Sequence, residues 1–386
     1  MPTQPLVYRL FAFICVHSRL NLCGACVLLC VLPSALAAQT WERLADMPVA
    51  VAAPAVSAVG RRAVVTGGVL LGGGASDAVQ VLDLDALTWS RPTTLNTARY
   101  QHAQVTLADG RVLVVGGLSR QPGHNGVPLA GCELIDLDQA VSEPTGGLPM
   151  PMRTPTLHLL GDGAVAAVGN QVVAVFDPRA GTWGVLAALH QPRRGHASVL
   201  LEDGTLLVGG GIGRSTFERV DLARGTSILM KARLPEALDD LVLVGLAGGR
   251  VWVIGGQGLD GQTTDRTWVL TVGEGSESRL DPGPRLGLAD GVADHVVIRT
   301  PNGIVVAGGE SQRGHVDTEL ADAFRLDPGT LGVRRLPAMG IAHDDAAGLG
   351  DGDWAIVFGG EVQESFLGAE VPTPIRAVHR VRLDGR

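Results

Sequence analysis

The sequence predicts an all-β protein: seven, alternatively six, similar four-stranded sheets set in a ring that the chain's own first strand closes. Three observations predict it. A β-branched run ending in Gly-Gly recurs along the chain. A His-bearing run stands at a fixed distance ahead of it in several copies. A short segment after residue 39 reads like the end of a unit whose beginning is missing.

The Gly-Gly run appears as "RRAVVTGG" (61–68), "GRVLVVGG" (110–117), "GTLLVGG" (204–210), "GRVWVIGG" (249–256), "GIVVAGG" (303–309) and "DWAIVFGG" (353–360). A degraded copy, "GAVAAVGN" (163–170), falls where one is due. The first glycines, at 67, 116, 169, 209, 255, 308 and 359, lie 40 to 53 residues apart. Six units remain if the degraded copy is not one; the well-formed "FDPRAGTW" (176–183) behind it favours seven. A run such as Val112-Leu113-Val114-Val115 is apolar at every position, so it belongs in a sheet covered on both faces. Glycine at its end lets the backbone turn sharply or approach a neighbour closely.

The stretches "TARYQHAQVTLADG" (97–110) and "QPRRGHASVLLEDG" (191–204) are close copies, each a first strand running into an Asp-Gly hairpin turn. His102, His196 and His295 each stand eight residues before a turn glycine, and Arg99 and Arg193 stand three residues ahead of the first two. His343 reads as the roughly equivalent residue of the last copy. Third strands end in Asp, at Asp136, Asp177, Asp221, Asp327 and Asp384, a residue suited to accepting the N–H groups of a turn. Some fourth strands open on Trp: Trp89 and Trp183 each precede a Leu, Leu95 and Leu189, by six residues.

The segment "TWERLADMP" (40–48) repeats that ending, with Met47 six residues after Trp41. The last copy runs out at "VHRVRLDGR" (378–386), where its fourth strand is due. The N-terminal segment is therefore expected to complete the C-terminal sheet, closing the ring and leaving no open edge.

This pattern resembles the kelch repeat, a four-stranded β-propeller blade with a period near 50 residues, over essentially all of 40–386. The resemblance extends to the galactose oxidase superfamily, whose seven-bladed domain is closed in the same manner. That family's copper-radical site needs two Tyr and two His, with one Tyr joined to a Cys. After residue 38 this chain has Tyr100 and Cys132 alone of those two types, so the chemistry is not expected and no cofactor or metal is assigned. The sialic-acid mutarotases are a second similar group, exported bacterial kelch propellers that use acid–base side chains without a cofactor. The propeller by itself does not select among enzymes, receptors and scaffolds.

Composition sets the remaining limits. The 386 residues are 46% hydrophobic and 18% charged, with 53 Gly and 22 Pro, which suits many short strands joined by turns. Residues 1–38 read as a secretory signal: Arg9 and Arg19, the apolar run "LCGACVLLCVLP" (22–33), then small residues at Ala35 and Ala37. Residues 39–386 would then be one propeller domain, exported to the periplasm or the medium, a monomer with no membrane segment. The net charge of −8 becomes −10 once the two leader arginines are gone, which argues against nucleic acid as a partner. Cys15, Cys23, Cys26 and Cys30 leave with the leader, so Cys132 stands alone and no disulfide is expected.

No phosphate loop, C-x-x-C pair or H-E-x-x-H motif occurs after residue 38. Two functional readings follow. In the first, the domain binds a protein or glycan through the long loops after Gly-Gly, at 118–131, 310–322 and 361–374, with His124, Arg313 and His315 as contacts. In the alternative, a cofactor-free enzyme acts on sugars at the channel mouth. Arg99, Arg193, Asp294, His295, His343 and Asp344 are its candidate groups, with Arg153, Arg194 and Glu310 nearby in the pattern. The recurring His could instead serve blade packing. The paired acids of "LDDL" (238–241) and "HDD" (343–345) are not explained by the repeat and could share a proton or a cation.

Overall fold

Second strands of this chain are buried along almost their whole length, and the reason lies in which neighbour each residue meets. In Val112–Val115 every residue is buried. Val112 and Val114 pack with Val64, Val79 and Val81 on one side. Leu113 and Val115 pack with Val165, Ala167 and Phe176 on the other. Alternate side chains of one strand thus fill two different inter-blade cores, and each buried Val or Leu is worth about 1.5–3 kcal/mol.

The computed structural model describes residues 39–313, 316–366 and 369–384. They form seven four-stranded antiparallel sheets. The inner strands are Ala55–Val59, Ala103–Thr106, Thr156–Leu159, His196–Leu200, Val242–Leu246, Val296–Thr300 and Ala347–Asp351, defining blades 1 to 7 in that order. The third copy is a complete blade, with Val165–Val168, Val172–Asp177 and Thr182–Ala188 outside its inner strand. Seven blades, not six, make the ring.

Blade 7 takes its fourth strand from the N-terminal segment. Glu42–Arg43 pairs antiparallel with Val378–Arg382, in the register Glu42 to Arg380 and Arg43 to His379. Met47 is fully buried and donates its N–H to Arg376 O at 2.8 Å. Leu95 donates to Asp77 O at 2.8 Å and Leu189 to Gln171 O at 2.7 Å, so the three residues placed six after Trp do the same work.

Each Gly-Gly ties its blade to the next. The second glycine donates its N–H to a carbonyl of the following blade: Gly117 to Met152 at 2.9 Å, Gly256 to Val292 at 2.9 Å, and Gly360 to Val51 at 3.0 Å, which closes blade 7 onto blade 1. The first glycine has no room for a side chain. A Cβ on Gly116 would lie 2.7 Å from Met152 O, and one on Gly255 would lie 2.7 Å from Val292 O. In blade 4 the pair is Gly210–Gly211, with φ of 67° and 102°, one residue later than the run "LLVGG" suggests. Between blades 3 and 4 the Gly169–Asn170 variant still forms a link, from Arg193 N–H to Asn170 O at 2.7 Å.

Four of the five strand-end aspartates named above make turns as their position suggests, and so does Asp83, whereas Asp384 lies 3.8 Å from Arg382 Nε. Oδ1 of Asp83, Asp136, Asp177 and Asp221 each accepts two backbone N–H groups of its turn. Asp327 does likewise through Gly329 and Thr330. The long connections after Gly-Gly are hairpins in blade 6 (Glu310–Arg313 with Val316–Glu319) and blade 7 (Glu361–Phe366 with Ala369–Pro374), and a shorter one in blade 2 (Leu118–Ser119 with Val127–Pro128). No described helix is long and apolar enough to cross a membrane.

Candidate functional site

In every blade but the third, the residue that enters the inner strand sits in the left-handed region. Ala53, Gln101, Asp240, Asp294 and Asp345 have φ of 47° to 50°, and Gly195 has φ of 66°. Asp tolerates this conformation better than Ala or Gln does, because its short polar side chain can bond locally. These residues adjoin one another around the channel mouth: Ala53 N–H donates to Asp345 O (2.7 Å), Gln101 N–H to Ala53 O (3.2 Å) and Asp240 N–H to Gly195 O (3.1 Å).

The residue just before it bridges to the first residue of the hairpin connection. Asp344 bridges Glu361, Ala293 bridges Glu310, and Asp239 pairs with Gln257, whereas Ala52 bridges Val69. The mouth and the hairpins therefore share one face, and that face is electrically lopsided. Blades 5, 6 and 7 supply Asp239, Asp240, Asp294, Glu310, Asp344, Asp345 and Glu361. At the corresponding places blades 1 and 2 supply Ala53, Val69, Gln101 and Leu118.

Burial raises every carboxyl of this arc above its ordinary value. Burial pushes Asp240 up to about 7, and the charges of Asp239, Asp345 and Glu310 push the same way. Burial also carries Asp344 to about 9, with Asp345 and Glu310 adding to it. Burial lifts Asp294 well above an ordinary carboxyl, and the charges of Asp240, Asp345, Asp344 and Glu310 push the same way. Burial raises Asp345 and Glu310 as well. Glu361 rises to about 7 through burial and Asp345, against the pull of Arg120. Oδ1 of Asp344 is buried without a hydrogen-bond partner.

The other sequence candidates fall elsewhere. Arg99 and Arg193 are wholly buried between blades. Arg99 pairs with Glu133 at 2.7 Å and donates to the carbonyls of Gly116 and Gly131. All five N–H groups of Arg193 are taken, by Glu218, Thr216 and Gly210. Glu133 in turn accepts the N–H of Asn96 and Thr97, and Glu218 that of His190 and Gln191. These clamp the segment that enters a blade onto that blade's own second and third strands, with no donor turned to the channel.

His102, His196 and His295 are buried behind the left-handed residues and do not line the channel. His102 bonds Thr66 Oγ1 through Nε2 at 2.8 Å. Burial lowers all three, His102 to about 3 and His196 and His295 to about 4, so they are neutral imidazoles. His343 is not their equivalent. It lies three residues before Ala346, the position that Arg99 and Arg193 hold relative to His102 and His196, and its Nδ1 bonds Gly359 O at 2.6 Å as those arginines bond Gly116 and Gly210.

Of the loop contacts, His124 is exposed at the blade 2 hairpin, and Arg313 is exposed and paired with Asp290 at 3.0 Å. His315 lies outside the described residues. Arg153 is half-buried and Arg194 exposed; burial raises Asp239 against the pull of Arg194. Sequence reasoning passed over Glu361. The signal was present: "GGE" occurs at 308–310 and again at 359–361, an acid at the same place in adjacent blades.

An apolar rim surrounds the acid arc. Leu71 (70% exposed), Val127, Ile212, Leu259 (73%) and Val316 all stand on connections after Gly-Gly, one in each of blades 1, 2, 4, 5 and 6.

A copper site of the oxidase type does not fit these residues. Tyr100 is buried under the Arg120 guanidinium, 4.9 Å from its ring centre. Cys132 is buried in the core between blades 2 and 3, its thiol pushed up to about 11 by burial. Among the described residues no three His, Cys, Asp or Glu side chains converge as metal ligands.

Repeat, ring and closure together define a seven-bladed β-propeller of the kelch type. The comparisons agree at that level. No family model matches the chain. A stretch of 122 residues is 33% identical to Kelch-like protein 35 of Mus musculus, taking in 31% of this chain and 21% of the mouse protein. The chain thus spans about a fifth of that curated relative. Among solved structures, a fungal alcohol oxidase of the AA5 family in complex with copper superposes with a TM-score of 0.67 at 15% identity, over 89% of this chain and 76% of that one. The structure of YjhT superposes with a TM-score of 0.51 at 14% identity, over 86% and 95%. Both likenesses are of fold.

Proposed function

We propose that this propeller is a binding module that engages its partner on the hairpin face. The observation that carries the reading is the apolar rim: large aliphatic side chains left in water on five blades of one face, around a charged centre. Single exposed apolar residues are ordinary, but here five fall on one face, one to a blade, all on the connections after Gly-Gly where a propeller carries its variable loops, and that placement supports a binding face. Likeness to a Kelch-like protein is consistent with a protein as the partner. The test is affinity capture from the source organism with the parent, with Leu71→Glu/Leu259→Glu on this face, and with Val185→Glu on the outermost strand of blade 3. A partner retained by the parent and by Val185→Glu and lost by the double variant supports the reading. A partner retained by all three overturns it.

A second reading has its own support. Asp240 and Glu361, held near 7, are poised for general acid–base work on a sugar without a cofactor. Proton NMR of anomer exchange in sugars including sialic acid decides it: no acceleration over buffer removes this reading.

Export with loss of residues 1–38 belongs to the same proposal. The intact mass and N-terminal sequence of protein recovered from the periplasm or medium test it, and a chain retaining Arg9 and Arg19 overturns it.

A further inference from the structure

The acid arc is a receptor for one kind of group, and its chemistry follows from what is gathered there and what is not. We propose that the channel mouth between blades 5, 6 and 7 binds an aliphatic ammonium group, free as a small amine or carried on a partner's lysine. The inference rests on the hairpin-face reading and specifies the ligand of that face.

Seven carboxyls of three successive blades share the mouth, and Asp294 alone interacts with Asp240, Asp345, Asp344 and Glu310. The cations near them stand at the flanks: Arg194 acts on Asp239, and Arg120 acts on Glu361. Asp317 and Glu319 of the blade 6 hairpin add further negative charge toward Glu310 and Glu361. A second observation is independent of the charge count. Oδ1 of Asp344, a residue 9% exposed, has no hydrogen-bond partner, and the charges acting on this side chain are those of Asp345, Glu310 and Glu361, so the orphaned acceptor belongs to the arc. A buried acceptor left unmade costs about 1–3 kcal/mol, which a donor from a ligand would recover.

The choice of cation follows from spacing. A dehydrated divalent ion needs about six to eight oxygens at roughly 2.3–2.6 Å. These carboxyls are spread over three blades, and among the described residues no three of them converge in that way. An ammonium carries three N–H donors and reaches separated acceptors at ordinary hydrogen-bond length. Its methylene stem suits the surroundings: half-buried Val69 stands on the blade 1 side, and the rim offers Leu71 and Leu259.

Calorimetry on the whole protein near neutral pH tests this with four probes: cadaverine, a lysine tripeptide with blocked ends, the same tripeptide acetylated on its lysine, and calcium chloride. The expected result is saturable one-site binding of the amine probes, no binding of the acetylated peptide or calcium, and roughly tenfold or greater weakening in Asp240→Asn/Asp294→Asn. Tighter binding of cadaverine assigns a small amine as the ligand, and tighter binding of the peptide assigns a lysine. Asn keeps the left-handed backbone, so the variant should melt at or above the parent. If it fails to fold, the acetylated peptide still decides, on the parent protein alone. Equal binding of acetylated and free lysine, no amine binding, undiminished binding by a folded double variant, or one-site calcium binding that excludes the amines each overturns the proposal. Absence of amine binding alongside rim-dependent partner capture removes only this inference and leaves the hairpin-face reading in place.

Discussion

Nε2 of His343 lies 2.8 Å from Nδ1 of His379, and the tautomers of both rings are fixed by a third atom. Gly359 O can only accept, so Nδ1 of His343 carries the proton that bonds it. Nε2 of His343 is then the acceptor and His379 donates. The pair stands at the blade 7 position where blades 2 and 4 use Arg–Glu clamps.

Acid should open this junction. Burial lowers His343 to about 4, well under an ordinary imidazole, so its stabilising contribution is present above about pH 6.5 and is lost as pH falls toward 4. His102, His196 and His295 act in the same direction. Because the raised carboxyls of the acid arc act the other way over the same range, the readout is a difference: in urea unfolding, the stability advantage of the parent over His343→Asn should shrink between pH 7 and pH 4.5. His379→Asn, which can still donate, should cost less than His379→Ala.

The acid arc predicts the opposite trend over the same range of pH. Asp240 and Glu361 have folded-state values raised to about 7, so their contribution is fully present below about pH 4 and is lost as pH rises through 7. Asp240→Asn should gain about 1–2 kcal/mol over the parent at pH 8 and little at pH 5, after discounting for solvent around the side chain. Thermal melts at the two pH values measure it; equal gains at both would refute the assignment.

The Arg–Glu clamps are structural. Glu133→Ala leaves the Arg99 guanidinium buried without its carboxylate and strips the caps from Asn96 and Thr97. The expected loss is about 3–5 kcal/mol in chemical denaturation. Rim-dependent partner capture should survive at temperatures where the variant stays folded.

Two glycines with similar backbone geometry should respond differently. Gly255 has φ of 61° and a Cβ there would lie 2.7 Å from Val292 O; Gly110 has φ of 87° and open space around it. Gly110→Ala should cost about 1–2 kcal/mol, the left-handed penalty alone. Gly255→Ala must also displace the link between blades 5 and 6, and its melting temperature should fall further.

Deleting residues 39–48 removes the fourth strand of blade 7, with buried Met47 and the Trp41 indole bond to Pro337 O at 2.9 Å. The truncated protein should melt far below the parent. One that melts like the parent would refute closure by this segment.

Much of the fold was legible because it repeats. The period of Gly-Gly, the Trp-to-Leu spacing and the orphan at Trp41 each encode a contact that recurs around the ring, so one copy explains another. The site was less legible because it is where the copies differ. Asp344 and Asp294 stood out, but Glu361 joins them only through a strand bridge that local spacing does not show. His343 was misread for a related reason: sequence distance to the strand varies by residues, and only its bond to Gly359 O reveals that it replaces an arginine. Burial, which turns Arg99 and Arg193 from channel groups into clamps, is likewise a property of the assembled ring.

The closing strand also sets how the ring would answer to force. Glu42–Arg43 runs antiparallel to Val378–Arg382, and Gln39 bonds Arg382 O at 3.1 Å, so Gln39 and Arg382 stand side by side at one end of this strand pair. Tension drawing Gln39 away from Asp384 would load the ladder one rung at a time, as a zipper opens, and not all rungs together in shear. A ring held by seven similar junctions against heat is thus fastened against pulling by the shortest strand in its last sheet.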